Sequence, residues 1–549
     1  MRIEERHYPI IILVLCALIF LPHLGILPVN IMEARNFISA REMVYDGNWI
    51  LTTLNGEPRY EKPPLPTWLT AWSGLLWGFD HVGALRLPAV LMAIILTFFT
   101  YLLGKRLTGN PYYALVSALV LITSFYITWS GRNGQWDIFT HAFMMVAIYQ
   151  FFLLFTSPDK THLHALLSGL FLGLSFLSKG PVSLYALFLP FLIAFWWALR
   201  FGNTEKRRSK NRLVLLVLFV STALVISSWW HLYIYFQDTQ AATAITSKEI
   251  NNWNNYNVRP FYYYWNFFIQ SGVWTIIAFV GLFYPYLRNR VFHKKGYTFT
   301  LIWTLASVVL LSLIPEKKAR YLLPVLIPLA LNSAFYLEYL FRMTRRGVLS
   351  NWETIPFKIQ FGLIGIIGIL VPFGGFWYLK DTIKGNWIWF ILLSISLFIL
   401  GWKIIGAVRQ KEAPKAFFLT LSFMVALIIF GLPLSDSLAD NPEYRSMHHL
   451  EQWQDFTGLP VYEFEEFSPE MIWDYGQPIP VVKNQLDSIV LGTDAFGLLA
   501  FEGSLDTIKA YFPGHQVQKI GYFDVNNRGR AQGGHKSRLY RDFYLLVRD

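Results

Sequence analysis

The sequence predicts an α-helical protein that crosses a membrane about thirteen times and ends in a small α/β domain. Three observations lead there. Of 549 residues, 54% are hydrophobic and only 15% charged, against roughly 25% charged in a soluble domain. The apolar residues come in runs of about 18 to 24, close to the ~20 that cross ~30 Å of hydrocarbon. Lysines and arginines gather in alternate connections between those runs, the asymmetry that sets membrane orientation. Inside lipid every backbone amide needs an internal partner, so such runs are helices.

The first run, 8–28, follows the mixed-charge MRIEERHYPI and no A-x-A-like site comes after it. It reads as a retained span rather than a cleaved signal. It holds the one cysteine, Cys16, so no intramolecular disulfide is expected. Twelve more spans are expected near 82–104, 111–130, 138–156, 163–178, 181–199, 212–235, 264–287, 297–314, 320–341, 357–379, 386–406 and 415–434. Alternate connections carry Lys105 and Arg106, Lys160, a cluster from Arg200 to Arg212, Arg288 to Lys295, Arg342 to Arg346, and Lys403 to Lys415. With Arg2 and Arg6, these mark the cytoplasmic side and put the N-terminus there. They also account for the net charge of +12, so no nucleic-acid partner is expected. An odd number of spans places the C-terminus outside.

The sequence divides into a membrane domain, 1–434, and an extracytoplasmic α/β domain, 435–549. In the second, PEYRSMHHLEQWQDF reads as a helix, VYEFEEF as a strand and PEMIWDYG as a short helix. IPVVKN and SIVLGT follow as strands, SLDTIKAYF as a helix, and QKIGYFDV and FYLLVRD as strands.

The non-cytoplasmic connections mix acids, bases and aromatics, and charges converging on one rim suggest a site. The first outer loop, 28–81, is the richest. Phe37, Ile38, Met43 and Val44 recur at helical spacing within 32–45, suggesting a helix lying in the membrane interface. Asp46-Gly47-Asn48 ends it, Asn55-Gly56 makes a turn, and Pro63-Pro64 forces extended backbone after Glu61-Lys62. The plain alternative is an amphipathic helix with a solvated polar face.

The segments MEARNFISAREM, NGEPRYEKPPLPTWL and RLPAVL resemble the aminoarabinose transferase branch of the protein mannosyltransferase superfamily. GRNGQWDIFTHAF, LSFLSKGPVSL, RPFYYYWNFF and PEKKARYLLPVLIPLAL extend the likeness to about residue 345. The resemblance implies a C-type glycosyltransferase fold in a bacterial inner membrane. It implies a polyprenyl-phosphate sugar donor, on undecaprenyl phosphate in bacteria, and transfer with inversion to a lipid or envelope-glycan acceptor such as lipid A. Arg35 and Lys62 match its motif positions, Arg320-Tyr321 resembles its phosphate-gripping pair, and Lys179 is a further donor-phosphate candidate. Asp137 resembles its second acidic position. Glu61, Arg132 and Lys317 complete the candidates. Cations at these positions suit the reaction, because negative charge grows on the leaving phosphate as the anomeric bond breaks.

Plainer roles exist for each. Lys317, Lys318 and Arg320 can anchor a helix end among headgroups. Lys179-Gly180-Pro181 can be a simple turn, and Asp137 can pair with Arg132 or another loop cation.

The chain also departs from the pattern. Met32 stands where the pattern has an acid, and a thioether neither takes a proton nor holds a hard metal. Either Glu33 or Asp137 is then the base, with Glu33 the expected one, or the acceptor is anionic and needs none. Ile250 and several asparagines replace a Glu-His pair in a later loop, so no cofactor is required, with a divalent metal left open. Two rival readings are a transporter or flippase of lipid-linked glycans and an inactive relative acting as a binding subunit. Transporters often show repeated halves and midplane charges, which this sequence lacks.

Overall fold

The computed structural model describes residues 4–157, 159–199, 212–383, 385–438, 441–482 and 494–549. Most of the basic cluster from Arg200 to Lys210, and the strand expected at SIVLGT, lie outside the described residues.

Among the described residues, nine helices are long and apolar enough to cross a membrane. The other four expected spans are short or broken. α1 (Tyr8–Phe20) has 13 residues. Between α5 (Pro111–Ile122) and α6 (Phe125–Gly131) the chain bends by 69°. There Thr123 and Ser124 turn their hydroxyls back onto the carbonyls of Leu119 and Val120, and Trp274 Nε1 donates to Thr123. The apolar stretch Leu184–Leu199 is shorter than a span, and the run at 264–287 breaks at Gly272, where φ is 65°. Hydropathy registers apolar length but is blind to such interruptions.

The segments that build the site come early in the chain. α2 (Ile31–Tyr45) is followed by a two-stranded hairpin, β1 (Thr53–Leu54) and β2 (Glu57–Pro58). Next come α3 (Leu65–Trp77), α4 (Val82–Thr108), α7 (Asp137–Thr156) and α8 (Thr161–Lys179). α2 is the helix expected at 32–45, but it is not an interfacial helix with a solvated face. Its apolar side packs Phe37, Ala40 and Met43 on Ala71, Phe79 and Leu85. Its polar side, Asn36, Ser39, Arg41 and Glu42, is buried too.

What covers α2 is the C-terminal domain, chiefly its short helix Pro469–Tyr475, with a four-stranded sheet behind it. Strands β3 (Val461–Glu463), β4 (Ala495–Ala500), β5 (His515–Asp524) and β6 (Tyr540–Arg548) lie in the order β3-β4-β6-β5, with only the β3–β4 pair parallel. Side chains alternate between its faces. Val461, Leu499 and Phe543 join Ala34 and Ile38 of α2 in one cluster. Tyr462, Leu498 and Tyr544 face the other way, against Ile508.

Candidate active site

α2 begins with a capping box. Asn30 accepts hydrogen bonds from the amides of Met32 and Glu33, and Glu33 Oε2 accepts from the Asn30 amide, which satisfies donors that a helix start leaves free. Glu33 is wholly buried. Arg86 of α4 reaches it through Nε at 2.7 Å and a second nitrogen at 2.9 Å, and the Gly134 amide donates to Oε1 at 2.8 Å. Both carboxylate oxygens are therefore occupied by cationic or amide donors. Glu33, expected as a base, here ties together α2, α4 and the loop before α7.

That tie brings the α6–α7 loop to α2, and Asp137 starts α7 three residues after Gly134. α7 and α8 run antiparallel, so the start of one meets the end of the other. Their register is fixed by a reciprocal pair: Thr140 Oγ1 donates to Ser175 O at 2.9 Å, and Ser175 Oγ donates to Thr140 O at 2.7 Å. One turn nearer the helix ends, the same register sets Asp137 against Lys179 in a buried ion pair. An acid at a helix start and a base at a helix end both suit the helix dipoles.

Around this pair the cations gather. Lys179 lies 5.7 Å from the centre of the Tyr321 ring, as does Lys318, and the Arg320 guanidinium lies 5.9 Å from it. Lys318 pairs with Glu316, which also accepts from the Tyr321 hydroxyl at 3.1 Å. Arg320 is close enough to Asp137, and Lys62 to Lys179, to interact electrostatically. Lys62 donates to the Glu61 carbonyl at 3.0 Å and stands 3.5 Å from Glu249. Burial pulls the Lys62 ammonium below the usual lysine value, with Glu249 opposing that shift. Asp137 Oδ2, Glu61 Oε2 and Arg320 Nε are buried without a hydrogen-bond partner among the described residues.

One further cation was not legible as a site residue. Arg59 lies in the field of Arg35 and Glu61 and stacks 4.8 Å over Trp136. It donates to Arg35 O and Ser39 Oγ, both at 3.2 Å, and burial lowers its pKa to about 10. The Arg before Tyr-Glu-Lys was the only signal for it.

Two expected site residues fall away. Arg132 does not pair with Asp137; it donates to the carbonyls of Ile19, Phe20, Pro22 and His23, capping α1. Lys317 donates to Arg259 O and Ile314 O, tying two loops together. Their charges are used on backbone carbonyls, as helix and loop ends require. Arg35, Glu61, Lys62, Asp137, Lys179, Arg320 and Tyr321 remain in one neighbourhood. No three His, Cys, Asp or Glu side chains among the described residues converge to hold a metal ion.

The family described as dolichyl-phosphate-mannose-protein mannosyltransferase matches residues 61–231, which contain Lys62, Asp137 and Lys179. An undecaprenyl phosphate-alpha-4-amino-4-deoxy-L-arabinose arabinosyl transferase of Proteus mirabilis is 25% identical over 419 residues, 75% of this chain and 73% of that protein. An enzyme of the same description from Edwardsiella ictaluri is 26% identical, covering 74% of this chain and 68% of its own. The crystal structure of ArnT from Cupriavidus metallidurans in the apo state superposes with a TM-score of 0.66 at 16% identity, over 98% of this chain and 97% of that one. The chain is thus similar to aminoarabinose transferases, and part of it matches the protein mannosyltransferase family. The chain has the C-type glycosyltransferase fold of that ArnT. The same ArnT bound to undecaprenyl phosphate superposes almost equally, with a TM-score of 0.65.

Proposed function

We propose that this transferase moves one sugar from a polyprenyl-phosphate donor, undecaprenyl phosphate in a bacterial inner membrane, to a lipid or envelope-glycan acceptor on the extracytoplasmic side. The observation that carries the reading is the meeting of Lys62, Lys179, Arg320 and Tyr321 around one buried carboxylate, Asp137. Thirteen crossings follow from the apolar runs, and cytoplasmic basic loops, an N-terminus on that side and an outer C-terminal domain at 435–549 follow from the lysine and arginine pattern. Cysteine labelling from each side checks that topology.

The donor phosphodiester carries one negative charge. As the bond from the anomeric carbon to the phosphate oxygen breaks, that oxygen keeps the electron pair and the leaving polyprenyl phosphate gains a second charge. Lys62, Lys179 and Arg320 are placed to stabilise this growing charge, which is worth more in a water-poor site. Arg320 Nε brings a buried donor with no hydrogen-bond partner among the described residues. Asp137 holds Lys179 in place by their ion pair. The acceptor oxygen attacks from the opposite face, so the anomeric centre inverts.

A hydroxyl acceptor requires a base, whereas an anionic acceptor requires none. With Met32 at the pattern's acidic position and Glu33 locked by Arg86, an acceptor phosphate such as that of lipid A fits best. Glu61 and Asp137 each keep one buried carboxylate oxygen without a hydrogen-bond partner among the described residues. Purified enzyme in lipid nanodiscs, given labelled undecaprenyl-phosphate sugars and lipid A, tests the reading. Transfer that survives in wild type but vanishes in Lys179→Met supports it. Absence of transfer with every donor and acceptor pair overturns it.

A further inference from the structure

α2 and the β1–β2 hairpin stand between the cation cluster and the C-terminal sheet, and one side chain connects them. Asn55 sits at the tip of the hairpin with φ 58°, a left-handed conformation that Asn tolerates. Its side chain is buried and clasps the C-terminal domain with two hydrogen bonds. Asn55 Nδ2 donates to Ile479 O, and Ile479 N donates to Asn55 Oδ1, both at 2.8 Å. The amide thus copies the donor and acceptor of a neighbouring strand, meeting both groups of one peptide residue.

Behind the clasp, Glu42 of α2 accepts from the Asn55 amide at 2.7 Å and from the Thr53 hydroxyl. Ahead of it, the chain passes through β2 directly into Arg59, Glu61 and Lys62. Arg59 then fixes itself to α2 through Arg35 O and Ser39 Oγ. The C-terminal domain grips the neighbouring turns of α2 as well. Arg41 donates to Ile472 O at 3.4 Å and stacks 5.7 Å from Trp473, whose ring meets Phe37 at 5.3 Å. The Glu61-Lys62 end of the loop is tethered separately, by the Tyr60 hydroxyl donating to Asp238 at 3.1 Å and by the 3.5 Å contact of Lys62 with Glu249. The hairpin side is the one that reaches the C-terminal domain.

We propose that Asn55 is a positioning residue of the transferase site: through its clasp on Ile479, the C-terminal domain sets where Arg59, Glu61 and Lys62 stand. The inference rests on Lys62 holding the donor phosphate. It makes the C-terminal domain a working part of donor recognition rather than a cap on the bundle.

The test uses the full-length enzyme in nanodiscs and undecaprenyl phosphate as the probe. Asn55→Gly suits the left-handed turn and removes only the clasp, so turn strain and clasp are separated. It is expected to weaken undecaprenyl-phosphate binding about tenfold, a coupling of the size found between contacting groups. In a Lys62→Met background the same change is expected to add little, because Lys62 is the one of the three residues that holds the donor phosphate. Two additive losses would mean a general structural defect and overturn the inference. So would wild-type affinity in Asn55→Gly. If that variant does not fold, Asn55→Asp decides. It keeps the acceptor for Ile479 N but sets a carboxylate against Ile479 O, and wild-type affinity there overturns the inference equally. Wild-type affinity in Lys62→Met refutes the donor-site reading instead, so the two failures are distinguishable.

Discussion

Glu33→Gln separates a catalytic carboxylate from a structural one. Glu33 is 0% exposed and its partner Arg86 is 2% exposed. Between them the two carboxylate oxygens accept from both Arg86 nitrogens, the Gly134 amide, and the Asn30 side chain and amide. A glutamine keeps one acceptor but turns an NH2 group toward donors, and it leaves the Arg86 charge buried without a counter-charge. Breaking a buried pair from one side costs about 3–5 kcal/mol. The expected outcome is a much lower thermal midpoint and yield, with turnover per folded molecule close to wild type. Glu33→Gln combined with Arg86→Gln should recover part of the stability, because no uncompensated charge remains. Thermal unfolding in detergent and transfer normalised to monodisperse enzyme measure both quantities. A stable Glu33→Gln enzyme that transfers no sugar would refute this reasoning and restore Glu33 as the base.

Other outcomes follow from the same geometry. Lys179→Met is expected to lower kcat by ~10²–10³, the range for removing one donor aimed at developing charge. Combining it with Asp137→Asn should cost little more, since the two act as one unit; additive losses in single-turnover transfer would contradict this. Burial holds the Lys62 pKa below the ordinary lysine value, so donor affinity should fall as pH rises through that lowered value. Lys62→Arg should remove this alkaline limb, because arginine stays protonated, and a titration of undecaprenyl-phosphate affinity against pH reads it. In the C-terminal domain, Asp524 is held below its usual pKa by hydrogen bonds from Asn526, Asn441 and His535, against the opposing effect of burial. In that window the unfolded chain binds the extra proton, so the stability Asp524 contributes is present above the ordinary carboxylate value. It is lost as pH falls through the lowered one. Limited proteolysis of the domain across that range should show earlier cleavage at low pH, and Asp524→Asn should flatten the dependence.

The sequence by itself determined the membrane class, the order of apolar segments, the helix at 32–45 and most of the site's cations. Those features are local: a run of apolar residues, a helical period and a short motif each carry their meaning without knowing what they touch. The strand at Ala495–Ala500 escaped notice although it lies inside the C-terminal sheet, between β3 and β6. Buried on nearly every residue, it lacks the alternation that marks a half-exposed strand. Only the tertiary structure decided which partner each charge meets. Glu33, Asp137, Arg132, Arg59 and Lys317 are all charged residues in outer loops. Contact with Arg86, with Lys179, with the end of α1, with Trp136 and with loop carbonyls gives each a different task. A buried charge takes its role from the partner that compensates it, and that partner lies far away in the chain.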